Sequence, residues 1–500
     1  MYWSPKLLQA LASGLGLASI AAAAPAETPS KTVVERQSTD RYVFAHFMIG
    51  IVTDRTSAAD FNADMQGAKA LGIDAFALNF GPDTDGANYT QQLVYAYDSA
   101  ASNGMKVFLS FDFNDGQWPT SDAAAIGAKI AAFGSRSAQL KVDDKAFVST
   151  FVGDALDVSA MRDAAGIPLY FAPNFNPGSG ADFSALDGAF SWYGWPTDGS
   201  NNPPSSSSTY LPSFADNDYT AKLGGDKSRY VAPVSPWFFT HFQDTASFAG
   251  KNWLFPADDL WFTRWNELLK LGPRFVEIIT WNDFGESHYI SPLSSPHYDD
   301  GNSKWTNDMP HSGWAALAAP FIAAYKAGAT SVTAAHVAAT GGDKLVYWYR
   351  PQPKGLSDCD ATDNVGSAPN GAGLVADSVF VAALMGEGGT ATVAVTSGGK
   401  GVVEKEVGVG ASVWAVPMGV GKQGFEVKRG GEVVLSGEGA KQVSASCVCG
   451  IYNFNAFVGT VPVADGAAGD RLAADGLSRF TEGLKVATCS PTPTLAAGKA

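Results

Sequence analysis

"RFVEIITWNDFGES", residues 274–287, joins a candidate buried strand to a turn that carries two carboxylates. Its first six residues are largely apolar and β-prone, and a short run of this kind is typical of a strand buried on both faces of a parallel sheet. Asp283 and Glu286 follow, three positions apart. They either lie at the carboxyl end of a barrel strand, where barrel enzymes carry their chemistry, or form an acidic turn that caps the next helix.

Seven similar runs precede this one, and segments with helical spacing of apolar residues separate them. These segments begin at typical helix caps such as Ser57 and end at glycines such as Gly72, Gly104 and Gly134. Alternating strands and helices over roughly 250–280 residues predict an α/β fold of the (β/α)8 TIM barrel type. An open doubly wound sheet is the alternative, but eight units without a Gly-rich phosphate loop after the first strand favour the barrel. The predicted strands are residues 41–50, 73–80, 105–113, 146–153, 167–175, 188–195, 229–238 and 274–284.

After about Thr330 the helical spacing gives way to short β-like runs broken by glycine. This pattern predicts a C-terminal antiparallel β-sandwich-like domain. The long segment at residues 197–214 follows the sixth strand, so it belongs to the barrel face where substrates bind. The predicted organisation is a secretion signal peptide at 1–24, the (β/α)8 barrel at 40–328, the β-rich domain at 332–490 and a flexible tail at 491–500.

The N-terminus has the pattern of a secretion signal. Lys6 precedes an apolar stretch rich in small residues, residues 7–24, with A-x-A-type cleavage near Ala23 or Ala24. A membrane anchor is the alternative, but the run is short and rich in Ala and Gly. We therefore expect a secreted, extracellular protein that does not bind a membrane.

Composition narrows the possible partners. A net charge of -15 and a pI near 4.8 provide no basic surface for nucleic acid or for an anionic membrane. Four cysteines in a secreted chain predict two disulfides with three possible connectivities, although a Cys447–Cys449 pair would be strained. No histidine has zinc-finger spacing to them, so we expect no metal. We also expect no cofactor and a monomer. The cysteines are Cys359, Cys447, Cys449 and Cys489.

Polar and aromatic side chains gather where the predicted strands end. In a parallel barrel these ends meet at one face and carry the functional groups. Carboxylates and amides bind hydroxyl groups, and indole rings stack on the C–H faces of sugars, so the set predicts a carbohydrate site. Its members are His46, Asn79, Asp112, Asn114, Asp154, Asn174, Asn176, Trp192, Trp195, Trp237, His241, Trp281, Asn282, Asp283 and Glu286.

Two carboxylates are what cleavage of a glycosidic bond requires. One donates a proton to the leaving oxygen, and the other activates water or attacks the anomeric carbon. Asp283 and Glu286 are the leading pair, with Gly285 providing a tight turn between them. Asp112 and Asp154 compete for one of the two roles, and the helix-cap interpretation stays open at this point.

Several long motifs in order resemble fungal glycoside hydrolase family 71, the α-1,3-glucanases or mutanases. The matching stretches are "VFAHFMIGIV", "LGIDAFALNFGP", "FLSFDFN", "PNFNP", "SWYGWP", "SPWFFTHF", "TWNDFGESHYISP" and "CVCGIYNFNAFVG". The resemblance implies a catalytic barrel with a β-rich C-terminal domain, and hydrolysis of α-1,3-glucan of the cell wall with inversion of anomeric configuration. It places the family's acidic motif on Asp283 and Glu286. We expect Glu286 to be the general acid and Asp283 the general base, with the reverse order open.

Two other functions remain as alternatives. A barrel of this kind could hydrolyse another cell-wall glucan linkage, because the chemistry at the strand ends would be the same. A non-catalytic glycan-binding protein is the second alternative, and the intact pair of carboxylates argues against it.

Overall fold

The computed structural model of the chain describes residues 40–463, apart from short gaps. The predicted signal peptide and tail lie outside the described residues, as do Cys449, Cys489 and part of the long segment at 197–214. The gaps are residues 115, 199–201, 206–213, 246–248, 298–302, 307–308, 357–358, 360–363, 387 and 448–451.

The N-terminal half of the described chain is built around a curled sheet of parallel strands. Each of the eight predicted strand ranges overlaps one of them, so the sequence located these elements correctly. The strands are β1 (Tyr42–Met48), β2 (Ala75–Phe80), β3 (Lys106–Asp112), β5 (Lys145–Phe151), β6 (Leu169–Phe171), β7 (Ala189–Phe190), β8 (Tyr230–Val234) and β11 (Phe275–Ile278). Their order along the sheet is β6, β5, β3, β2, β1, β11, β8, β7.

These strands are largely apolar because both faces of the sheet are covered by protein. All six residues of β2 are buried, for example. On the inner face, Phe44, Phe108, Phe147 and Phe275 pack into an aromatic layer, with successive ring centroids 4.7–5.6 Å apart. This layer fills the lower part of the curled sheet, so polar side chains are accommodated only nearer the carboxyl ends of the strands.

Most of the helices cover the outer face of the sheet, and two of them end at glycines that the sequence predicts. The Asn88 side chain accepts a hydrogen bond from the Gln91 N–H at 2.9 Å, and Gly72 and Gly104 end their helices in the left-handed conformation. The helices are α1 (Asn62–Leu71), α2 (Tyr89–Asn103), α3 (Ala123–Gly134), α4 (Val158–Ala165), α5 (Phe214–Lys222), α6 (Leu260–Leu271), α7 (Ser303–Thr306), α8 (Ser312–Lys326) and α9 (Ala334–Ala339).

The sequence missed three short strands in this half. A two-residue strand, β4 (Lys141–Val142), pairs antiparallel with β5. A hairpin of β9 (Phe239–Phe242) and β10 (Lys251–Leu254) forms a separate two-stranded sheet between β8 and α6. Strands of two to four residues are too short to establish an alternating pattern, so the sequence offered little to identify them.

The C-terminal part contains two four-stranded antiparallel sheets that share one core. Tyr347 of the first sheet stacks on Phe425 of the second, with centroids 4.0 Å apart, and alternate residues of both sheets are buried between them. The strands are β12 (Lys344–Tyr349), β13 (Ser378–Met385), β14 (Ala391–Ser397), β15 (Lys400–Val407), β16 (Gly410–Pro417), β17 (Gln423–Arg429), β18 (Glu432–Glu438) and β19 (Phe457–Val461). The first sheet has the order β16, β13, β12, β19, and the second β15, β14, β17, β18.

One disulfide lies in the described residues, between Cys359 and Cys447, whose Cα atoms are 5.2 Å apart. It joins two loops of the β-rich part. Within the described ranges, no helix has both the length and the apolar character needed to cross a membrane.

Candidate active site

The acidic turn, residues 280–288, follows β11 and presents both predicted carboxylates. The Asp283 N–H donates to Thr280 Oγ1 at 2.9 Å, and the Glu286 N–H donates to Asp283 Oδ1 at 2.9 Å. Asp283 therefore stabilises the turn itself, but no helix starts here in the described residues, since the next one is α7 (Ser303–Thr306), so it caps no helix. Its side chain and that of Glu286 are nevertheless each 15% exposed, so both carboxylates are partly open to solvent at the carboxyl end of the sheet, the region that we call the cleft.

Glu286 is held as an anion by two neighbours. Lys251 Nζ donates to Glu286 Oε1 at 2.7 Å, and His288 Nε2 lies 3.1 Å from Glu286 Oε2. Burial acts to raise the pKa of Glu286, but the charge of Lys251 and the hydrogen bonds from His288 and Lys251 outweigh it and lower the pKa to about 2. Glu286 is thus ionised throughout the ordinary pH range.

Asp283 has the opposite tendency. Burial raises the pKa of this carboxyl, and the negative charge of Glu286 raises it further, against the opposing effects of His288 and Lys251. One oxygen of Asp283 and one of Glu286 lie within 4.8 Å of each other. Two neighbouring carboxylates with pKa values driven in opposite directions are suited to act as a proton donor and a base.

The ring of His288 contacts both carboxylates through Nε2. Its ring is fully buried, with Nδ1 3.1 Å from Thr280 Oγ1 and Nε2 3.7 Å from Asp283 Oδ2. By distance alone, Asp283, Glu286 and His288 could hold a metal ion. The Lys251 ammonium already occupies Oε1 of Glu286, and a second cation beside it would be repelled.

A second polar group lies beside the acidic turn, on β11 and on the strands β1, β2 and β3 that follow it in the sheet. His46 Nδ1 is 2.8 Å from Glu277 Oε1, and both side chains are almost fully buried inside the sheet. Burial raises the pKa of Asp112, opposed by the Asn114 N–H, by the charge of His46 and by the Asn79 side chain. The structure therefore brings His46, Asn79 and Asp112 together, as the sequence predicted from their strand ends.

Trp192 is the indole best placed to contact a sugar. Its ring is only partly buried, and it packs edge-on against His46 and Phe151, each with centroids 4.8 Å apart. The same ring lies 6.4 Å from the ring of His288. Trp192 thus lies between the acidic turn and the His46 group.

The other predicted tryptophans are enclosed by protein. Trp195 Nε1 donates to the Trp237 carbonyl at 2.7 Å, and Trp237 Nε1 donates to the Phe454 carbonyl at 2.9 Å. Trp281 is 1% exposed and donates to Asp64 Oδ1 at 2.9 Å. These rings have no face open to a ligand, and they hold segments of the fold together.

Several predicted polar residues contact other parts of the protein instead of facing the cleft. Asn174 Nδ2 donates to the Phe190 carbonyl at 3.1 Å. His241 is buried in a stack with Trp305. The remaining predicted residues lie on loops near the strand ends: Asn114 and Asn176 are exposed, and Asp154 accepts a hydrogen bond from the Asn176 N–H at 2.6 Å.

Asn282 fastens the acidic turn to the end of β1. Its Oδ1 accepts from the Met48 N–H at 2.8 Å, and its Nδ2 donates to the Met48 carbonyl at 3.2 Å.

We expect Asn282→Ala to lower the free energy of unfolding by about 1–3 kcal/mol, because both backbone groups lose their partner in a largely buried place. Urea unfolding measures this, and Asn114→Ala, at an exposed asparagine after β3, is the control. Equal stability of the two variants would contradict the role assigned to Asn282.

Lys251, His288 and Glu277 escaped the sequence prediction. His288 had a usable signal, since it lies two positions after Glu286 in "GESHY". Lys251 had none, because its approach to Glu286 depends on the β9–β10 hairpin. Glu277 lies inside the largely apolar run that predicts β11, so nothing in the sequence marks it as part of a site.

Comparison with known proteins gives a consistent group of relatives. A model of glycosyl hydrolase family 71 matches residues 39–470. A mutanase from Penicillium rubens is 43% identical over 436 residues, covering 86% of this chain and 91% of the relative. A glucan endo-1,3-alpha-glucosidase from Schizosaccharomyces pombe is 34% identical over 451 residues, covering 86% and 96%. An ascus wall endo-1,3-alpha-glucanase from the same yeast is 27% identical over 440 residues, covering 83% and 96%.

Proposed function

Because the chain belongs to glycosyl hydrolase family 71, we propose that it hydrolyses the α-1,3-glucosidic bonds of an α-1,3-glucan. The observation that carries the proposal is the close approach of Asp283 and Glu286 in the acidic turn, within 4.8 Å, in surroundings that raise the pKa of the first and lower that of the second. The names of two relatives, a mutanase and a glucan endo-1,3-alpha-glucosidase, supply the linkage.

In the proposed reaction Asp283 is the general acid and Glu286 the general base. Asp283 gives its proton to the glycosidic oxygen, which leaves with the electron pair of the bond to the anomeric carbon. Glu286, ionised beside Lys251, takes a proton from the water that attacks this carbon, and a new reducing end forms. This assignment reverses the order expected from the sequence, and the pKa directions of the two carboxyls support it.

Inversion of configuration, which the family resemblance implies, is part of the proposal. It needs a water between base and sugar, and therefore carboxyl groups about 6.5–9.5 Å apart. The approach of Asp283 and Glu286 oxygens within 4.8 Å is shorter, nearer to the spacing of about 5–5.5 Å in retaining enzymes. Inversion thus requires the two side chains to separate when a glucan chain and a water enter the cleft.

Sugar binding is assigned to the residues that line the cleft beside the acidic turn. The open part of the Trp192 ring provides a stacking surface, and Asp112 and Asn79 offer acceptors and donors to hydroxyl groups. Glu277 fixes the ring of His46 through Nδ1 at 2.8 Å, so that Nε2 is the ring nitrogen left for a ligand. Among the described residues, His46 Nε2 is a buried nitrogen without a hydrogen-bond partner.

We further propose that the curled sheet closes into a (β/α)8 barrel. The two ends of the strand order are β6 and β7. Two backbone hydrogen bonds link these ends: the Gly188 N–H donates to the Phe171 carbonyl at 3.1 Å, and the Phe190 N–H donates to the Pro173 carbonyl at 2.9 Å. These bonds support closure at the position where the paired order ends.

Secretion and extracellular action at a cell wall complete the proposal. The signal-like segment at residues 1–24 supports secretion, and the name of the ascus wall relative supports a wall polysaccharide as substrate. A monomer is proposed, with the domain boundaries expected from the sequence.

The test is product analysis on a panel of insoluble glucans. We expect soluble reducing oligosaccharides from α-1,3-glucan, with the β anomer formed first by NMR, and release from α-1,4- or β-1,3-glucan slower by roughly 10²-fold or more. Turnover confined to another linkage would favour the alternative hydrolase. Binding without turnover on every glucan would favour a glycan-binding protein.

A further inference from the structure

The β9–β10 hairpin grips the acidic turn at three points. The Phe239 N–H donates to the Glu286 carbonyl at 3.1 Å, and Thr240 Oγ1 donates to the Gly285 carbonyl at 3.1 Å. Lys251, the first residue of β10, contributes the ion pair with Glu286. Both the backbone and the charge state of Glu286 thus depend on where this hairpin lies.

The outer edge of β10 is completed by a loop of the β-rich part of the chain. The Leu254 N–H donates to the Asn370 carbonyl and the Asn370 N–H to the Asn252 carbonyl, each at 3.0 Å. The Asn252 side chain also donates to the Gly366 carbonyl at 2.9 Å. Strand β10 is therefore held between β9 and the loop at residues 364–370.

Tyr452, from the segment just before β19, ties the two hairpin strands together. Its hydroxyl donates to Asn252 Oδ1 at 2.9 Å and lies 2.5 Å from His241 Nδ1. Asn252 and His241 are directly paired across the hairpin. One hydroxyl can donate one hydrogen bond and accept another, so Tyr452 can satisfy both partners.

The ring of Tyr452 is fixed independently of its hydroxyl. It is 4% exposed and packs against Phe239 and Phe454, with centroids 6.2 and 5.6 Å apart. The Tyr452 carbonyl accepts from Trp305 Nε1 at 3.1 Å. Removing the hydroxyl alone therefore leaves the ring in place while removing the hydrogen bond to Asn252 Oδ1, next to Lys251 in the chain.

We propose that Tyr452 is a positioning residue that holds Lys251 against Glu286, and that the β-rich part is for this reason required for hydrolysis. The inference rests on the proposed function, since it gives the ion pair a role in that reaction. Under this proposal the parallel sheet and the β-rich part act together in hydrolysis, because residues 364–370 and Tyr452 hold the hairpin that carries Lys251.

The charged groups around Glu286 determine how its pKa changes if Lys251 moves away. Lys251 faces Glu286 from the hairpin, and His288 and Asp283 face it from the acidic turn. Asp112, at the end of β3, also interacts with the charge of Lys251. If Lys251 moves away, the lowering influence of its charge weakens while burial remains, so the pKa of Glu286 rises.

The test compares Tyr452→Phe with Tyr349→Phe. Tyr349 is buried in the same β-rich part, and its hydroxyl donates to the Lys441 carbonyl, so it is matched in burial and chemistry. For Tyr452→Phe we expect kcat to fall by roughly 10-fold or more, because small displacements of positioning groups are costly. We also expect the acidic side of the pH profile of kcat/KM, its acid limb, to move to higher pH. Tyr349→Phe should leave both unchanged.

Wild-type kcat and an unshifted acid limb in Tyr452→Phe would overturn the inference. A second measurement separates it from the proposed function. In the resting protein, NMR of the His288 ring protons reports the pH at which Glu286 ionises. That pH should rise in Tyr452→Phe and not in Tyr349→Phe, whether or not α-1,3-glucan is hydrolysed, and an unchanged value also overturns the inference.

Discussion

Asp283→Asn and Glu286→Gln are each expected to lower kcat on α-1,3-glucan by about 10²–10⁴-fold, the range contributed by a positioned acid or base. An asparagine cannot give up a proton to the glycosidic oxygen, and a glutamine cannot take one from water. The folds should survive, because the amide oxygen introduced by Asp283→Asn can still accept from the Glu286 N–H, as the Asp283 carboxylate does at 2.9 Å. Reducing ends released from insoluble α-1,3-glucan, together with the Tm of each variant, measure both expectations.

Asp259→Asn and Glu267→Gln are the matched controls. Burial raises the pKa of each of these carboxyls as it does that of Asp283, but they lie at the start and in the middle of α6, on the outside of the sheet. Their kcat should stay near the wild-type value. Near-normal turnover by both Asp283→Asn and Glu286→Gln would remove these residues from the reaction.

Lys251→Met is expected to be the next most damaging change. Lys251 lowers the pKa of both Glu286 and Asp283, so its loss raises both. Activity requires ionised Glu286, which is lost as pH falls through its pKa of about 2, and protonated Asp283, which is lost as pH rises through its pKa. Both limbs of the pH profile should therefore move upward, the acid limb by roughly 1–3 pH units, the range of shift that an opposite charge at close range causes.

The pH dependence of kcat/KM measures this shift, with Lys251→Arg as the control. Arginine keeps the positive charge beside Glu286, so its acid limb should stay near that of the wild type even if kcat falls. An acid limb that does not move in Lys251→Met would show that Glu286 is not the base that the profile reports.

The course of the parallel strands was readable from sequence because it depends on local patterns. Runs such as residues 73–80 are apolar on both faces, and helix ends are marked by residues such as Asn88 and Gly104. The same logic placed Asp112 and Asp283 at strand ends; Asp112 is the last residue of β3, whereas Asp283 lies in the turn after β11, which ends at Ile278. Strand β15 lacks the apolar pattern, because seven of its eight residues are exposed and several are charged.

The supports of the site could not be predicted because they depend on long-range contacts. Lys251 reaches Glu286 through a hairpin that has few residues, and Tyr452 reaches Asn252 across 200 positions of sequence. The acid and base roles likewise depend on burial and on neighbouring charges. Trp281 and Trp192 are both indoles at strand ends, yet the first is enclosed in the core and the second remains partly open.

Chemical rescue by azide tests the assignment of Glu286 and Asp283 most directly. In Glu286→Ala the base is gone, and azide, which needs no base, can enter its place and attack the anomeric carbon. We predict that azide restores cleavage of α-1,3-linked glucosides in Glu286→Ala, with a β-glucosyl azide as the product, and does not restore it in Asp283→Ala. Rescue of Asp283→Ala instead, with none for Glu286→Ala, would contradict the account.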